Sequence, residues 1–398
     1  MASPGRYPVV MTVVFLAPNP PDPRGPTGAR CYAHLVRQLV GRGHRVRFIV
    51  SGRAAARDLS AATAFVDGPS GAFFLRAVEP AREPTWRRKL RSAIWPNRPP
   101  AGCPVQAAVD DAVGQGCDVL HVEESAGWYG AGRDRALLSV QHIDSIDLAG
   151  ERLWTGLSGW KEAVQSRRQE TQVIRGYCHI RCLTSSLADA VGQINPGAST
   201  YVVPPALDLA DYPVLPEPAG EPTIGMIGSM FWHPSREAAR RLIRDIFPLV
   251  RREVPNARLL IAGWAAHRFL GASAGTDGVE IVSDLPDSES FFRRIHVLLY
   301  APRRASGVKI KVAEALAYGR GVVTTADGTE GLGLTAGDHV LVGATDAELA
   351  SAACQLLRDR ERRRRLAVAG RQVVGDLLSP ERTAGQMLEV YSSLCLGR

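Results

Sequence analysis

Short apolar runs recur along the chain and alternate with stretches of helical period. Residues 9–17, VVMTVVFLA, form the first run, and a strand with two apolar faces is typical of a sheet covered on both sides. Residues 29–41 follow a different pattern, in which the apolar positions at spacings of three and four are Tyr32, Leu35, Val36, Leu39 and Val40. Strand–helix alternation predicts an α/β fold with a parallel sheet and helices on both of its faces.

The alternation runs in two series. The first series predicts strands at 9–17, 44–50, 118–123, 137–141 and 179–184. A segment rich in proline and acidic residues, 202–222, has no helical period and is interpreted as a linker. The second series predicts strands at 223–229, 257–263, 279–283, 296–301 and 321–325.

Two successive doubly wound, Rossmann-like domains are therefore expected, and 398 residues are enough for both at roughly 100–200 residues per domain. We predict an N-terminal domain over 1–204 and a C-terminal domain over 205–383. The amphipathic helix at 384–398 is expected to pack back onto the N-terminal domain.

The net charge indicates which kinds of ligand the protein favours, and the cysteine content indicates its cellular compartment. A net charge of +8 favours acidic ligands or surfaces, without choosing among nucleotide, nucleic acid and lipid headgroup. The seven cysteines form no Cys-x-x-Cys pair, which favours a reducing cytoplasm and no structural zinc. The basic segment 82–100 carries Trp86 and Trp95. It is interpreted either as an ordinary helix or as a peripheral contact with the inner membrane face or an acceptor groove.

Lysine is scarce, yet two of the four lysines, Lys309 and Lys311, stand beside a predicted helix start after a turn at Gly307. Cations there oppose the helix dipole at a cost of about 0.3–1 kcal/mol each. A bound phosphate would remove that cost, because free helix N–H groups and ammonium groups both donate to it. The alternative is a solvated lysine pair. Glu314, one turn further on, would accept hydrogen bonds from a ribose diol or pair with Lys311.

The segment SGVKIKVAEALAYGRGVVTTADGTEGL, 306–332, resembles the donor site of GT-B glycosyltransferases of family 4, and most of all a subgroup with a Gly-x-Lys-x-Lys-x-x-Glu-Ala pattern. The resemblance implies that Lys309, Lys311 or both hold a diphosphate. In the family's Glu-x7-Glu motif the second Glu binds the ribose and matches Glu314, whereas Ser306 replaces the first. The resemblance also implies a donor-binding C-terminal domain, an acceptor-binding N-terminal domain and retention of anomeric configuration.

Two glycine loops fit the same resemblance. GSMFWHPSREA, 228–238, resembles the loop after the first strand of the nucleotide domain, and it brings Gly228, Ser229 and Arg236 into the expected donor site. Arg303 is an alternative phosphate partner. At the N-terminus, PRGPTGARCYAHLVRQLVGRGHRV resembles the family's other glycine loop, where Gly25 and Gly28 would let the backbone approach the donor phosphate or the acceptor.

His142 and Asp144 follow the predicted strand 137–141 in the stretch SVQHIDSID. Ligands of open α/β sheets bind at the carboxyl ends of strands, so both residues are candidates for acceptor binding or catalytic proton transfer. The alternative is a structural histidine with a satisfied hydrogen bond.

Together these features predict a metal-independent glycosyltransferase. It would use a UDP- or GDP-sugar as co-substrate, need no other cofactor and bind no nucleic acid. The leaving diphosphate would be neutralised by positive side chains and a helix N-terminus, since the chain has no Asp-x-Asp. The acceptor is expected to be a natural product, such as an antibiotic, or an envelope polysaccharide. Alternatives are a sugar-nucleotide epimerase of the same fold and a non-catalytic basic protein that binds nucleic acid or membrane.

Overall fold

The computed structural model describes residues 10–79, 102–147, 156–273, 275–283 and 285–396. The segment 82–100, interpreted as an ordinary helix or as a contact with membrane or acceptor, lies outside these residues. The chain divides into two compact units. The first unit comprises Met1–Ser145, Gly156–Leu207 and Leu378–Arg398, and the second comprises Ile146–Thr155 and Asp208–Leu377.

The first unit is built on a sheet of seven parallel strands in the order β3-β2-β1-β4-β5-β6-β7. The strands are β1 Thr12–Ala17, β2 Arg45–Val50, β3 Phe73–Ala77, β4 Val119–Glu123, β5 Ala136–Val140, β6 His179–Cys182 and β7 Ser199–Val202. Its helices are α1 Thr27–Gly41, α2 Ala56–Val66, α3 Pro104–Gly114, α4 Asp144–Asp147, α5 Gly156–Arg175 and α6 Ser185–Ile194, and the unit boundary falls within α4. β1 pairs with both β2 and β4, so the direction of the crossovers changes at β1.

The second unit is built on a sheet of six parallel strands in the order β10-β9-β8-β11-β12-β13. The strands are β8 Thr223–Ile227, β9 Arg258–Ala262, β10 Val279–Val282, β11 Val297–Tyr300, β12 Gly321–Thr324 and β13 Leu341–Val342. The helices are α7 His233–Arg241, α8 Phe247–Glu253, α9 Ala266–Leu270, α10 Ser288–Phe292, α11 Ile310–Ala317, α12 Asp346–Arg358 and α13 Arg360–Leu377. Here the crossovers change direction at β8, which pairs with β9 and β11.

The predicted α/β class is confirmed, and every predicted strand is present. Three further strands carried no clear sequence signal. Phe73–Ala77 and Ser199–Val202 lie at the two edges of the first sheet and are only partly buried, and Leu341–Val342 has two residues. An edge strand has one partner and one open side, so its sequence needs no continuous apolar run.

A last helix, α14 (Pro380–Cys395), belongs to the first unit. Its stripe of Met387, Leu388, Tyr391 and Leu394 is buried in the same core as α1 and β1. The Tyr391 hydroxyl lies 2.6 Å from Nδ1 of His121, which is itself fully buried on β4. None of the helices among the described residues is long and apolar enough to span a membrane.

Two loops of the second unit touch backbone to backbone. Gly263, after β9, has a φ of +136°, a conformation that L side chains rarely adopt. A Cβ atom at this position would lie 2.0 Å from the carbonyl oxygen of Gly228, in the loop after β8. Gly263 therefore allows the β9 loop to support the glycine loop directly.

Gly263→Ala should lower the free energy of unfolding by at least about 2 kcal/mol, because the methyl group adds both a steric clash and backbone strain. Gly271→Ala is the matched control: Gly271 has a φ of −57°, and no atom lies within 4 Å of the place that its methyl group would take, so it should change stability by about 0.5 kcal/mol or less. Urea unfolding of both variants measures the difference. Equal stabilities would contradict the close contact.

Candidate functional site

The carboxyl ends of β8 and β11 form the edge of the second unit at which the crossovers change direction, the usual place for a ligand in an open α/β sheet. The glycine loop Gly228–Trp232 follows β8 and leads into α7. The turn after β11 contains Gly307, whose φ is +73°, and leads into α11. These two connections bring most of the predicted donor-site residues to one edge.

Lys311 joins the two connections. Its Nζ atom donates to Oγ of Ser235 at 2.8 Å and lies 4.1 Å from the centre of the Tyr300 ring. A Cβ atom on Gly228 would be 3.0 Å from the same Nζ atom and 2.7 Å from Oγ of Ser235, so the ammonium group and the Ser235 hydroxyl both lie against the glycine loop. The half-buried Lys311 thus places a positive charge beside the backbone of Gly228 and the start of α7.

Lys309 has a different environment. Its side chain is about 1% exposed, and its ammonium group donates to the carbonyl oxygens of Ala305, at 2.9 Å, and Gly307. Glu330 lies 3.5 Å away. Burial lowers the pKa of Lys309, and the negative charges of Glu330 and Asp147 partly oppose this effect. The Lys309 ammonium therefore closes the turn at Gly307.

Glu314 is buried on α11, one turn after Lys311, with 2% of its surface exposed. Its Oε1 atom accepts hydrogen bonds from the hydroxyls of Ser288, at 3.3 Å, and Tyr212, at 3.5 Å. The Tyr212 ring packs edge-on against Tyr318, with ring centres 5.0 Å apart. Hydroxyl groups thus already bind to the carboxylate that the sequence assigns to a ribose diol.

A carboxylate occurs next to Ser306, although the chain has no glutamate at that position. The backbone N–H and Oγ–H of Ser306 both donate to Oδ1 of Asp147, at 2.7 and 2.8 Å. Asp147 is 5% exposed and belongs to the second unit. This residue was not among those predicted from the sequence, because 159 positions separate the two partners.

The predicted arginines face protein partners. The Arg236 guanidinium lies 4.9 Å from the centre of the Phe269 ring and donates to the carbonyl oxygen of Met230 at 3.4 Å. Arg303 is exposed and forms a 2.9 Å ion pair with Glu237. Ser229 accepts a backbone hydrogen bond from Trp232 within the glycine loop. Among the predicted donor-site side chains, Lys311 is the cation that adjoins Gly228.

In the first unit, the predicted N-terminal glycines lie at and before the start of α1. Gly25 donates its N–H to the carbonyl oxygen of Asp22 in a turn. Gly28 faces Gln141, whose amide would be 3.9 Å from a Cβ atom at that position. Gln141 in turn donates to Oε2 of the buried Glu123 at 2.7 Å. The first turn of α1, at Gly28, therefore lies next to the end of β5.

His142 lies between two carboxylates at the end of β5. Its Nδ1 atom is 2.8 Å from Oε1 of Glu124, and its Nε2 atom is 3.2 Å from Oδ1 of Asp144. Burial opposes protonation, but the charge of Glu124 and hydrogen bonds to Asp144 and Glu124 outweigh it and hold the pKa of His142 well above its ordinary value. The hydrogen bond from His142 lowers the pKa of Asp144.

Two further acidic residues belong to this cluster. Glu124 accepts hydrogen bonds through Oε2 from the backbone N–H of Gln141, at 2.7 Å, and of His142, at 3.4 Å. Glu170 on α5 accepts from the backbone N–H of Ser145, and burial raises its pKa to about 7. Glu124 lies in the stretch HVEES, 121–125, whose place at the end of a predicted strand made it a weaker candidate of the same kind as His142, whereas the sequence carried no signal for Glu170. Within the described part of the chain, no cluster of three or more His, Cys, Asp or Glu side chains is arranged to hold a metal ion.

Residues 221–359 match the sequence model of the family described as Glycosyl transferases group 1. This stretch contains the glycine loop, Lys311 and Glu314, all in the second unit. No curated protein matches the chain significantly.

Solved structures extend the comparison to the whole chain. Sucrose-phosphate synthase from Thermosynechococcus elongatus has a TM-score of 0.69 at 16% identity, over 97% of this chain and 100% of that one. HepE from Anabaena, solved with UDP and glucose, has a TM-score of 0.67 at 13% identity, over 96% and 100%. TarM has a TM-score of 0.70 at 8% identity, over 96% and 98%.

The chain therefore has the GT-B fold of group 1 glycosyltransferases. The family match in the second unit, together with this fold, confirms the expectation of a glycosyltransferase enzyme.

The charge on His142 should make stability depend on pH. A folded-state pKa above the unfolded value of 6.5 means that protonated His142 stabilises the fold below pH 6.5, and that this contribution is lost as the pH rises through the folded-state pKa. We expect His142→Gln to cost about 1 kcal/mol or less near pH 6 and to cost less near pH 9. Urea unfolding of both proteins at the two pH values measures this, and the effect of Glu170 largely cancels in the difference. A cost that grows with pH would contradict the assignment.

Proposed function

We propose that the protein transfers a sugar from a nucleoside diphosphate sugar to an acceptor hydroxyl, with the second unit binding the donor. The observation that carries this proposal is the position of Lys311, whose ammonium group adjoins Gly228 and Ser235 at the edge where β8 and β11 end. Backbone N–H groups at a helix start and a neighbouring cation are what a diphosphate requires. Glu314, one helical turn away, would accept hydrogen bonds from the ribose.

In this proposal the two lysines have different roles. Lys311 contacts the diphosphate and stabilises the negative charge that develops on the leaving group. Lys309 shapes the turn from within, through Ala305 and Gly307. The resemblance to the family 4 subgroup with the Gly-x-Lys-x-Lys-x-x-Glu-Ala pattern allows either lysine on the diphosphate, and from the same resemblance we propose retention of anomeric configuration.

The first unit would bind the acceptor near His142, Asp144 and Gly28. A doubly hydrogen-bonded, charged histidine is a donor to an acceptor oxygen rather than a general base. The proposed acceptor is a natural product or an envelope polysaccharide. A UDP-sugar is the first donor to test, because HepE was solved with UDP-glucose. The cysteine pattern supports a reaction in the cytoplasm.

A thermal-shift comparison of UDP, GDP, dTDP and ADP tests donor binding. A nucleotide at 100 times its Kd should stabilise the protein by about 2.7 kcal/mol. We expect UDP or GDP to raise Tm, and the size of the shift to rank the bases. No shift with any of the four would contradict the proposed function. Conversion of a nucleotide sugar into its epimer, with the nucleotide still attached, would instead favour the epimerase alternative.

Lys311→Ala should weaken binding of the preferred nucleoside diphosphate by about 10- to 150-fold, because a hydrogen bond to a charged group contributes roughly 1.5–3 kcal/mol. Binding of the bare nucleoside should change much less, since it carries no phosphate. Glu314→Gln should weaken both ligands alike, because both contain the ribose. Isothermal titration calorimetry measures all four affinities.

Arg360→Ala removes an exposed positive charge at the start of α13 and serves as the control for net charge. It should leave both affinities unchanged. If Lys311→Ala weakened nucleoside and diphosphate equally, or no more than Arg360→Ala, Lys311 would not contact the phosphates.

A further inference from the structure

The two carboxylates at His142 are not equivalent. Glu124 makes the shorter contact, 2.8 Å against 3.2 Å, and its side chain is 23% exposed against 49% for Asp144. Glu124 also holds the backbone N–H groups of residues 141 and 142 through its second oxygen. One carboxylate therefore anchors both the ring and the main chain of His142, while the other meets the ring from the solvent side.

The geometry also fixes what each ring nitrogen can do. A neutral imidazole has one N–H, and Glu124 would retain it on Nδ1, so that Nε2 would become a hydrogen-bond acceptor. In the charged ring both nitrogens donate, and Nε2–H donates to Asp144, the more exposed of the two carboxylates. Asp144, half exposed, is the partner that an incoming oxygen atom can replace at lowest cost, because water can solvate the displaced carboxylate.

We propose that Glu124 is the positioning residue of His142: it holds the ring through Nδ1 and the main chain through residues 141–142, and it thereby presents Nε2–H to an oxygen atom of the acceptor, whose place Asp144 takes when no acceptor is bound. The inference rests on the proposed function only in taking a sugar acceptor as the ligand. It assigns Glu124 and Asp144 opposite roles, as support and as exchangeable partner.

The other charged groups around the cluster do not take over the task of Glu124. Glu170 on α5 accepts from the N–H of Ser145, and the charge of Asp144 contributes to its raised pKa. Glu123 accepts from the Gln141 amide and faces His121, 3.5 Å away. The buried Arg181 donates to the carbonyl oxygens of residues 203 and 204.

Nuclear magnetic resonance of ¹⁵N-histidine protein tests the support role without any substrate. The His142 signal is assigned from His142→Gln, and its pKa is then measured in wild type, Glu124→Gln and Asp144→Asn. Removing an opposite charge at this distance should lower the pKa of His142 by about 1 or more in Glu124→Gln. The pKa of His142 should decrease less in Asp144→Asn, because the Asp144 carboxylate lies farther from the ring and is more exposed to solvent.

Asp110→Asn is the matched control, because Asp110 lies on α3 of the same unit and pairs with Arg133. It should leave the pKa of His142 unchanged. An unchanged pKa in Glu124→Gln, or a larger decrease in Asp144→Asn than in Glu124→Gln, overturns the proposal. Circular dichroism confirms that each variant is folded before titration.

Turnover of UDP-glucose, measured as UDP release across pH, tests the link to the reaction. Glu124→Gln should lower kcat by about 10-fold or more, leave KM for UDP-glucose within about twofold, and move the alkaline decline of kcat to lower pH. A purely structural role would lower activity at every pH without moving the decline, and that result overturns the proposal. If wild type turns over no nucleotide sugar, the proposed function fails, and the titration alone decides the role of Glu124.

Discussion

Parallel strand pairing is the constraint on which each candidate site depends. In a parallel sheet the carboxyl ends of all strands lie at one edge. A crevice for a ligand forms at that edge where the crossovers change direction, at β1 in one unit and at β8 in the other. The charged residues of the two candidate sites lie at these edges: Glu124 and His142 in the first unit, Lys311 and Glu314 in the second. The helices that follow the strands then decide which side chains reach the edge and which remain in the core.

The lysine pair shows how two similar residues acquire different tasks two positions apart. Residues two positions apart at a helix start project in different directions. The Lys309 ammonium therefore turns into its own loop, and the Lys311 ammonium turns toward the glycine loop after β8. Burial makes the loss of a proton easier for Lys309, and three oxygen-bearing partners compensate for it. Lys311 instead has aromatic faces beneath its charge, which attract a cation without neutralising it. A charge supported in this way can still attract an anion.

Continuous apolar runs and turn residues were enough to predict the fold class, the restart of the series near residue 223 and every central strand. Edge strands such as Phe73–Ala77 escaped notice, because half of their side chains contact solvent. The sequence also placed Lys309, Lys311 and Glu314 beside one helix start, but it could not show which ammonium is buried. That depends on the carbonyl oxygens of Ala305 and Gly307 and on Glu330, whose approach is a tertiary property. Asp147 was missed for a related reason: a carboxylate acquires its role from a partner that is distant in sequence.

The position of α14 has a consequence for biosynthesis. Residues 380–395 complete the core around β1 and α1, yet the ribosome makes them only after the whole of the second unit. The second unit is continuous apart from one short segment and can form while translation proceeds. The earlier part of the chain must wait, with the apolar surface under α14 open to chaperones or to faulty contacts, until the last helix emerges. α14 contacts residues that are distant in sequence, and contacts of this kind form slowly, so the unit whose synthesis begins first completes its core last.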